Sequence, residues 1–239
     1  VSGDLAFIGD VHLDQDDELL GPFLRWLDHL ETTCAGLVFI GDLFNLWLGD
    51  RSMERPHQTA VVGRLARLRE RGMAVTYIEG NRDYRVGDAY AGLAFDEVVA
   101  ESWTTRIGVT RVWAAHGDLV NVRDHQYQIW RRFSRWAPAW RLFTLLPSGS
   151  RLRWADRIEQ RMRTTNLAYK ATFPESLVRA YGQKALGQGH DLIVLGHFHL
   201  ERDLPADDGR IVVLPSWREE GRFLRVDQAG NARFEMAPV

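Results

Sequence analysis

Five short stretches of the 239-residue chain set glycine beside aspartate, asparagine or histidine. They are Gly9-Asp10-Val11-His12, Gly41-Asp42, Gly80-Asn81-Arg82-Asp83, His116-Gly117-Asp118 and Gly196-His197-Phe198-His199. Carboxylate, amide and imidazole groups together offer oxygen and nitrogen donors, a mixture that suits Mn²⁺, Fe or Zn²⁺ better than Ca²⁺. The set holds no thiolate, which argues against a structural zinc site. A spacing of two residues predicts an extended backbone with Asp10 and His12 on one side, and His197 and His199 likewise. Glycine before a donor lets the chain turn sharply and approach its neighbours. Taken singly each motif is weak: Asp-x-His arises by chance, Gly-Asp is an ordinary turn, and a single buried histidine is usually a hydrogen-bonded structural one. The ordered series is what points to a metal site. His29, His57, His125 and His190 fall outside it and receive no metal role.

Each motif follows an apolar run: Leu5–Ile8, Leu37–Ile40, Val75–Ile78, Val112–Ala115 and Leu192–Leu195. Continuous apolar runs of this length read as strands buried on both faces, as in α/β sheets. In such sheets ligands bind beyond the carboxyl ends of the strands, where the loops converge. Helical patterns over about Asp17–Leu30 and Gln58–Arg71 make the start β-α-β-α-β. Late runs at Arg210–Leu214, Arg222–Val226 and Arg233–Met236, with Gly221 and Gly230-Asn231 between them, predict antiparallel strands joined by hairpins. The fold class is α/β with a mixed or second sheet.

Bulk composition narrows the function classes. A chain of 239 residues, 45% hydrophobic, suits one domain over 1–239 with a sizeable core. A net charge of −2 gives no global basic field, so nucleic acid is not an expected partner. The lone Cys34 rules out an internal disulfide, and its place before Leu37–Ile40 favours a buried structural thiol. No apolar stretch reaches the roughly 20 residues that span a bilayer. The first residues lack signal-peptide character, so a cytoplasmic location is expected. The oligomeric state has no signature in the sequence.

Residues 123–163 stand apart as a helical insertion, divided by Pro138 and Pro147. Ten arginines there face only Asp124, Asp156 and Glu159, a net charge of +7. Trp130, Trp136, Trp140 and Trp154 are interleaved with them. That mixture suits an interfacial element meeting anionic head groups and acyl chains. A solvated basic face over a satellite aromatic core is the alternative.

The series Asp-x-His, Gly-Asp, Gly-Asn, His-Gly-Asp, Gly-His-x-His resembles the calcineurin-like metallophosphoesterase superfamily over nearly the whole chain. The resemblance implies a four-layer αββα sandwich with a helical cap over about 123–172, and a site for two divalent metal ions, with Mn²⁺ the expected ion. By that resemblance Asp10, His12, Asp42 and His199 hold one ion, Asp42, Asn81, His116 and His197 the other, and Asp42 bridges. Asn81, Arg82 and His116 are then the catalytic residues. Two ions roughly 3.5–4 Å apart can lower the pKa of a shared water toward 7 and stabilise phosphoryl charge.

Arg82 stands where many members carry histidine. A guanidinium is a poor general acid but grips phosphate through two parallel hydrogen bonds. That suits a pyrophosphate, whose leaving phosphate needs no proton; an ion pair with Asp83 or Asp118 is the plainer alternative. Gly80–Tyr84, Gly41–Asp50, His116-Gly117-Asp118 and the Asp124…Tyr127-Gln128 stretch are similar to the UDP-2,3-diacylglucosamine hydrolase family of lipid A biosynthesis. This similarity implies a nucleotide-linked glycolipid substrate and peripheral contact with the anionic inner face of the cytoplasmic membrane. It also implies substrate contacts at Arg82, Asp124, Tyr127, Thr164, Thr165, Asn166, Lys170 and His197. Asn45, Arg51, Leu200-Glu201 and Pro215-Ser216-Trp217 depart from that family's pattern. Two further readings stay open: a phosphoesterase acting on another nucleotide or phosphodiester, and a metal-free binding scaffold.

Overall fold

The computed structural model describes residues 3–169 and 173–238, with backbone alone for 161–169. In chain order the strands are β1 (Leu5–Ile8), β2 (Gly36–Ile40), β3 (Trp47–Leu48), β4 (Ala74–Ile78), β5 (Asp83–Tyr84), β6 (Glu97–Val99) and β7 (Ser102–Ile107). They continue with β8 (Thr110–Ala115), β9 (Leu192–Leu195), β10 (Arg202–Ala206), β11 (Gly209–Val213), β12 (Arg222–Val226) and β13 (Ala232–Met236). The helices are α1 (Leu20–Thr33), α2 (Pro56–Glu70), α3 (Gly87–Tyr90), α4 (His125–Arg135), α5 (Ala137–Thr144), α6 (Ser148–Tyr169), α7 (Glu175–Leu186) and α8 (Trp217–Glu220).

Two sheets carry the architecture. The first has the order β13-β12-β1-β2-β4-β6 and the second β10-β11-β9-β8-β7. Strands β1, β2, β4 and β6 run parallel, as do β8, β9 and β11. Alternate residues of each strand face opposite sides, so each sheet has two apolar faces to cover. Leu5, Phe7, Val38, Ile40 and Ile78 of the first sheet meet Val112, Ala114, Leu192, Val194 and Val212 of the second in the middle of the molecule. The outer face of the first sheet, with Ile8, Phe39 and Tyr77, is covered by α1 and α2. Helix α1 presents Phe23, Trp26, Leu27 and Leu30, a stripe at helical spacing. Each such side chain contributes about 1.5–3 kcal/mol by leaving water. Helix α7 covers the outer face of the second sheet through Val178, Ala185 and Leu186. The layers are therefore α, β, β and α, as the family resemblance implies.

One expectation fails. Of the three late runs only β12 and β13 pair with each other; the run at Arg210–Leu214 supplies β11, which forms a hairpin with β10 and pairs with β9 in the second sheet. Apolar alternation marks a strand but not the sheet it joins. Cys34 is half-buried at the end of α1, and burial raises its thiol pKa, which disfavours the thiolate form.

Helices α4 to α6 interrupt the second sheet between β8 and β9. Pro138 lies in the first turn of α5 and Pro147 directly precedes α6, places where a missing N–H is tolerated. Trp130, Trp140, Phe143, Leu152, Ala155 and Ile158 pack on Leu46, Leu48, Met53 and Tyr84 of the body. Arg55 pairs with Glu159 at 3.2 Å, Arg151 with Asp50, and Arg131 with Asp118 at 3.0 Å. Some of the insertion's arginines are thus turned inward, so its basic charge is not all a surface property. A cavity of about 20 Å³ lies between Leu46, Leu48, Met53, Leu152 and Ala155. It has room for one water and none for an acyl chain.

Candidate metal centre

All five motifs arrive at one place. Asp10 and His12 follow β1, Asp42 follows β2 and Asn81 follows β4, all from the first sheet. His116 follows β8, and His197 and His199 follow β9, from the second. His12 Nε2 and His199 Nε2 are 3.2 Å apart, with Asp10 Oδ1 3.3 Å from His199 Nε2. Asn81 Oδ1 lies 2.9 Å from His116 Nε2 and 3.0 Å from His197 Nδ1. Asp42 Oδ2 is 3.8 Å from His116 Nε2. The donor atoms of Asp10, His12 and His199 fall within 4.8 Å of one another, and so do those of Asp10, Asp42 and His116. Asp10 reaches both groups, where the family resemblance implies Asp42 as the shared residue.

The backbone at these residues is not extended. Asp10, His12, Asp42, His197 and His199 have φ between 50° and 72°, in the left-handed region. This corrects the reading of Asp-x-His as a short strand: both side chains reach the site because the chain curls. Bare glycine permits the crowding, since a Cβ on Gly80 would sit 2.3 Å from Asp42 Oδ1. Gly41 has φ +75°, and a Cβ there would meet His116 Nδ1 at 2.6 Å.

Hydrogen bonds outside the cluster orient the donors. His116 Nδ1 faces the carbonyl of Ile40 at 2.8 Å, to which it can only donate, so Nε2 is turned to the site. The His197 N–H donates to Asp10 Oδ2 at 2.7 Å, tying the two sheets together. Asp83 Oδ2 accepts from the amides of Asp42 and Gly80 and from the Tyr77 hydroxyl, at 2.9, 2.8 and 2.8 Å. Sequence reasoning gave Asp83 no such part, although its place in Gly-Asn-Arg-Asp was a signal. Ser216 Oγ donates to the Asp10 carbonyl at 2.9 Å, and no motif marked it.

Electrostatics sort the groups. Burial would raise Asp10, but His199, with His116 and His12, outweighs it and holds the carboxyl well below the usual range. Asp42 is raised by burial against the pull of His116 and Arg82. His12 is held well below its ordinary value, chiefly by burial, and His197 falls to about 4 through burial and the charge of His116. Burial opposes the charge on His116 too, yet Asp42, Asp10 and Asp118 lift it to about 9. Asp83 rises to about 7 through burial and the neighbouring Asp42 charge. Carboxylates crowded against the neutral imidazoles of His12 and His197, with His116 drawing its charge from the same carboxylates, fit a divalent cation that would take the place of that proton.

Arg82 is buried in the site. Its amide donates to Asp42 Oδ1 at 2.9 Å, its Nη1 donates to the Asn45 carbonyl at 3.1 Å, and its Nε lies 3.6 Å from Asp42 Oδ2. Neither Asp83 nor Asp118 is its partner, so the alternative ion pair is overturned. Asp124 caps α4 by accepting from the Tyr127 amide at 2.9 Å, and the Tyr127 hydroxyl donates to Asp118. Both expected substrate contacts thus have structural work as well. Thr164, Thr165 and Asn166 lie on α6, where only backbone is described, and Lys170 lies outside the described residues. His57 is buried edge-on against Phe44, away from the site, as its exclusion from the series implies.

A sequence profile for calcineurin-like phosphoesterases matches residues 4–201. The chain is 30% identical over 229 residues to the UDP-2,3-diacylglucosamine hydrolase of Sodalis glossinidius, covering 94% of each chain. It is 30% identical to that of Aeromonas salmonicida, covering 96% of this chain and 91% of the other. Among solved structures it is similar to an archaeal phosphodiesterase, with a TM-score of 0.52 at 10% identity, covering 97% of this chain and 98% of that one. A hypothetical protein of Pyrococcus horikoshii gives 0.54 at 12% identity, covering 98% of this chain and 87% of that one. At such identities the likeness is one of fold.

Proposed function

The chain belongs to the family of calcineurin-like phosphoesterases, and from that premise we propose that it hydrolyses the pyrophosphate bond of UDP-2,3-diacylglucosamine to UMP and 2,3-diacylglucosamine 1-phosphate. The observation that carries the reading is the convergence of seven oxygen and nitrogen donors with a buried guanidinium, Arg82, among them. Similarity at 30% identity across 94% of both chains supports the choice of substrate.

On this reading Asp10, His12, Asp42 and His199 hold one divalent ion, and Asp42, Asn81, His116 and His197 hold a second, with Mn²⁺ the ion we expect. Such ions, when bound, supply Lewis-acid stabilisation of phosphoryl charge and a water acidic enough to attack at neutral pH. The protein's own residues do the rest. Asn81 and His116 are held in place through their mutual contact and the Ile40 carbonyl. Arg82, a guanidinium, offers parallel N–H donors to phosphate oxygens and is a poor general acid. A leaving phosphate with a second pKa of about 6 needs no proton from it.

The cap, about 123–172 of a domain spanning 1–239, is proposed to receive the glycolipid. Asp124, Tyr127, Thr164, Thr165, Asn166, Lys170 and His197 are its proposed polar contacts, beside Arg82. Among the described residues no helix is long and apolar enough to cross a membrane. Ile129, Phe133, Trp136, Leu142 and Leu145 of the cap are 56–80% exposed. Apolar side chains left in water beside arginines suit shallow contact with an anionic bilayer, at the inner face of the cytoplasmic membrane.

Purified protein tests this directly. Chelation should abolish UMP release from UDP-2,3-diacylglucosamine, Mn²⁺ should restore it, and UDP-glucosamine should react poorly. Equal rates on a simple nucleotide diester would shift the reading to another phosphodiester substrate. Inactivity on every phosphoester with metal bound would leave a binding scaffold.

A further inference from the structure

Helix α4 grips two of the loops that carry the proposed second ion's ligands, those of Asn81 and His116. At its C-terminal end Arg135 Nη2 donates to the carbonyls of Gly80 and Asp83, at 2.7 and 2.8 Å. These carbonyls are the two ends of one turn, closed by the Asp83 amide reaching Gly80 O at 3.4 Å, and Asn81 and Arg82 form its tip. Arg135 Nε faces Glu79 Oε2 at 3.4 Å, the guanidinium lies over the Tyr84 ring at 5.6 Å, and the Arg135 carbonyl accepts from Arg85 Nη1 at 3.1 Å. One residue of the cap therefore touches Glu79, Gly80, Asp83, Tyr84 and Arg85. Earlier on the same helix, Tyr127 and Arg131 both donate to Asp118, two residues beyond His116. Arg131 also donates to the Ala100 carbonyl, at 2.5 Å.

We propose that Arg135 is a positioning residue for the metal centre: by holding the carbonyls of Gly80 and Asp83 it fixes the Asn81 amide opposite His116 and His197. The inference rests on the divalent-metal reading of the site. Asn81 Oδ1 lies between two imidazole nitrogens at 2.9 and 3.0 Å, an arrangement that fails if its turn rotates by a fraction of an ångström. Two carbonyls bound by one planar guanidinium leave that turn little freedom. The side chain is only 13% exposed, so the contacts are sheltered from competing water.

The test uses the whole chain stripped of metal and titrated calorimetrically with Mn²⁺. Wild type should bind two ions. Arg135→Gln, with a native circular dichroism spectrum, should weaken one of them about tenfold, the usual effect of removing an outer partner of a ligand. The other ion should stay within about twofold of wild type. Arg55→Gln breaks the cap's ion pairs with Asp156 and Glu159 on α6, leaves the contacts of Arg135 in place, and should leave both affinities unchanged. If Arg135→Gln does not fold, Arg135→Met serves. It keeps an unbranched stem beside Tyr84 but has no N–H to offer either carbonyl, and it should show the same single-site loss. Wild-type affinity for both ions in the folded variant overturns the inference, and so does equal weakening by Arg55→Gln. A wild type that binds no Mn²⁺ overturns the metal reading beneath it, which keeps the two failures distinct.

Discussion

On the proposed reading Asp42 is shared by both ions and His116 lies 3.8 Å from it at the second, so alanine at either should do more than remove one ligand. Asp42→Ala and His116→Ala are each expected to lower kcat/KM by roughly 10³-fold or more, because nucleophile and charge stabilisation fail together. Full activity in a variant of verified metal content would remove the site from the reaction. Arg82→Lys should lose at least about tenfold, since an ammonium keeps the charge but not the planar fork. Activity equal to wild type would leave Arg82 as a partner of Asp42 and Asn45 only. The donors were legible because each follows an apolar run and strand ends place loops together. Arg82's partner was not, because residue type names a chemistry and leaves its direction open. The guanidinium turns to Asp42, whereas Asp83 is occupied by two amides and a tyrosine hydroxyl.

The cap divides into two sets of aromatic residues that look alike in the sequence. Trp130, Trp140 and Phe143 pack against Leu46, Leu48 and Met53, while Phe133 and Trp136 are 56% and 58% exposed. Serine at Phe133 and Trp136 is expected to leave Tm nearly unchanged but to weaken anionic-vesicle binding and hydrolysis of the diacylated substrate. Serine at Trp140 should instead lower stability by about 3 kcal/mol, the scale of large-to-small changes in a packed cluster. Identical effects from both would mean that the exposed aromatics have no interfacial part. Proline fixed the cap's helix boundaries in advance, because it suits only a first turn. Which face each helix buries depends on Tyr84 and the loop around Met53, far away in the chain. The same reason explains β11: its alternation is plain, but the strand beside it is chosen by the whole second sheet.

Across the molecule, the centre sits where two sheets meet and neither sheet supplies all the donors. Doubly buried strands were readable from continuous apolar runs, and so was the line along which the loops converge, while the four layers came with the family resemblance. Backbone handedness was not, because spacing alone favours the relaxed, extended form. Five of the seven non-glycine residues with left-handed backbone among those described are expected ligands. Such a residue costs roughly 1 kcal/mol or more, so five hold about 5 kcal/mol. Domains of ordinary stability are held by only about 5–15 kcal/mol in all. Glycine adopts that conformation freely and alanine does not, so glycine at Asp10, His12, Asp42, His197 or His199 should melt about 2–4 °C above alanine at the same place. Equal melting at most of them would show the strain to be negligible. The outline of the centre is therefore written in heat as well as in chemistry. A calorimeter given paired variants, with neither ion nor substrate present, could trace it as the set of places where an empty position makes a sturdier protein than a methyl group does.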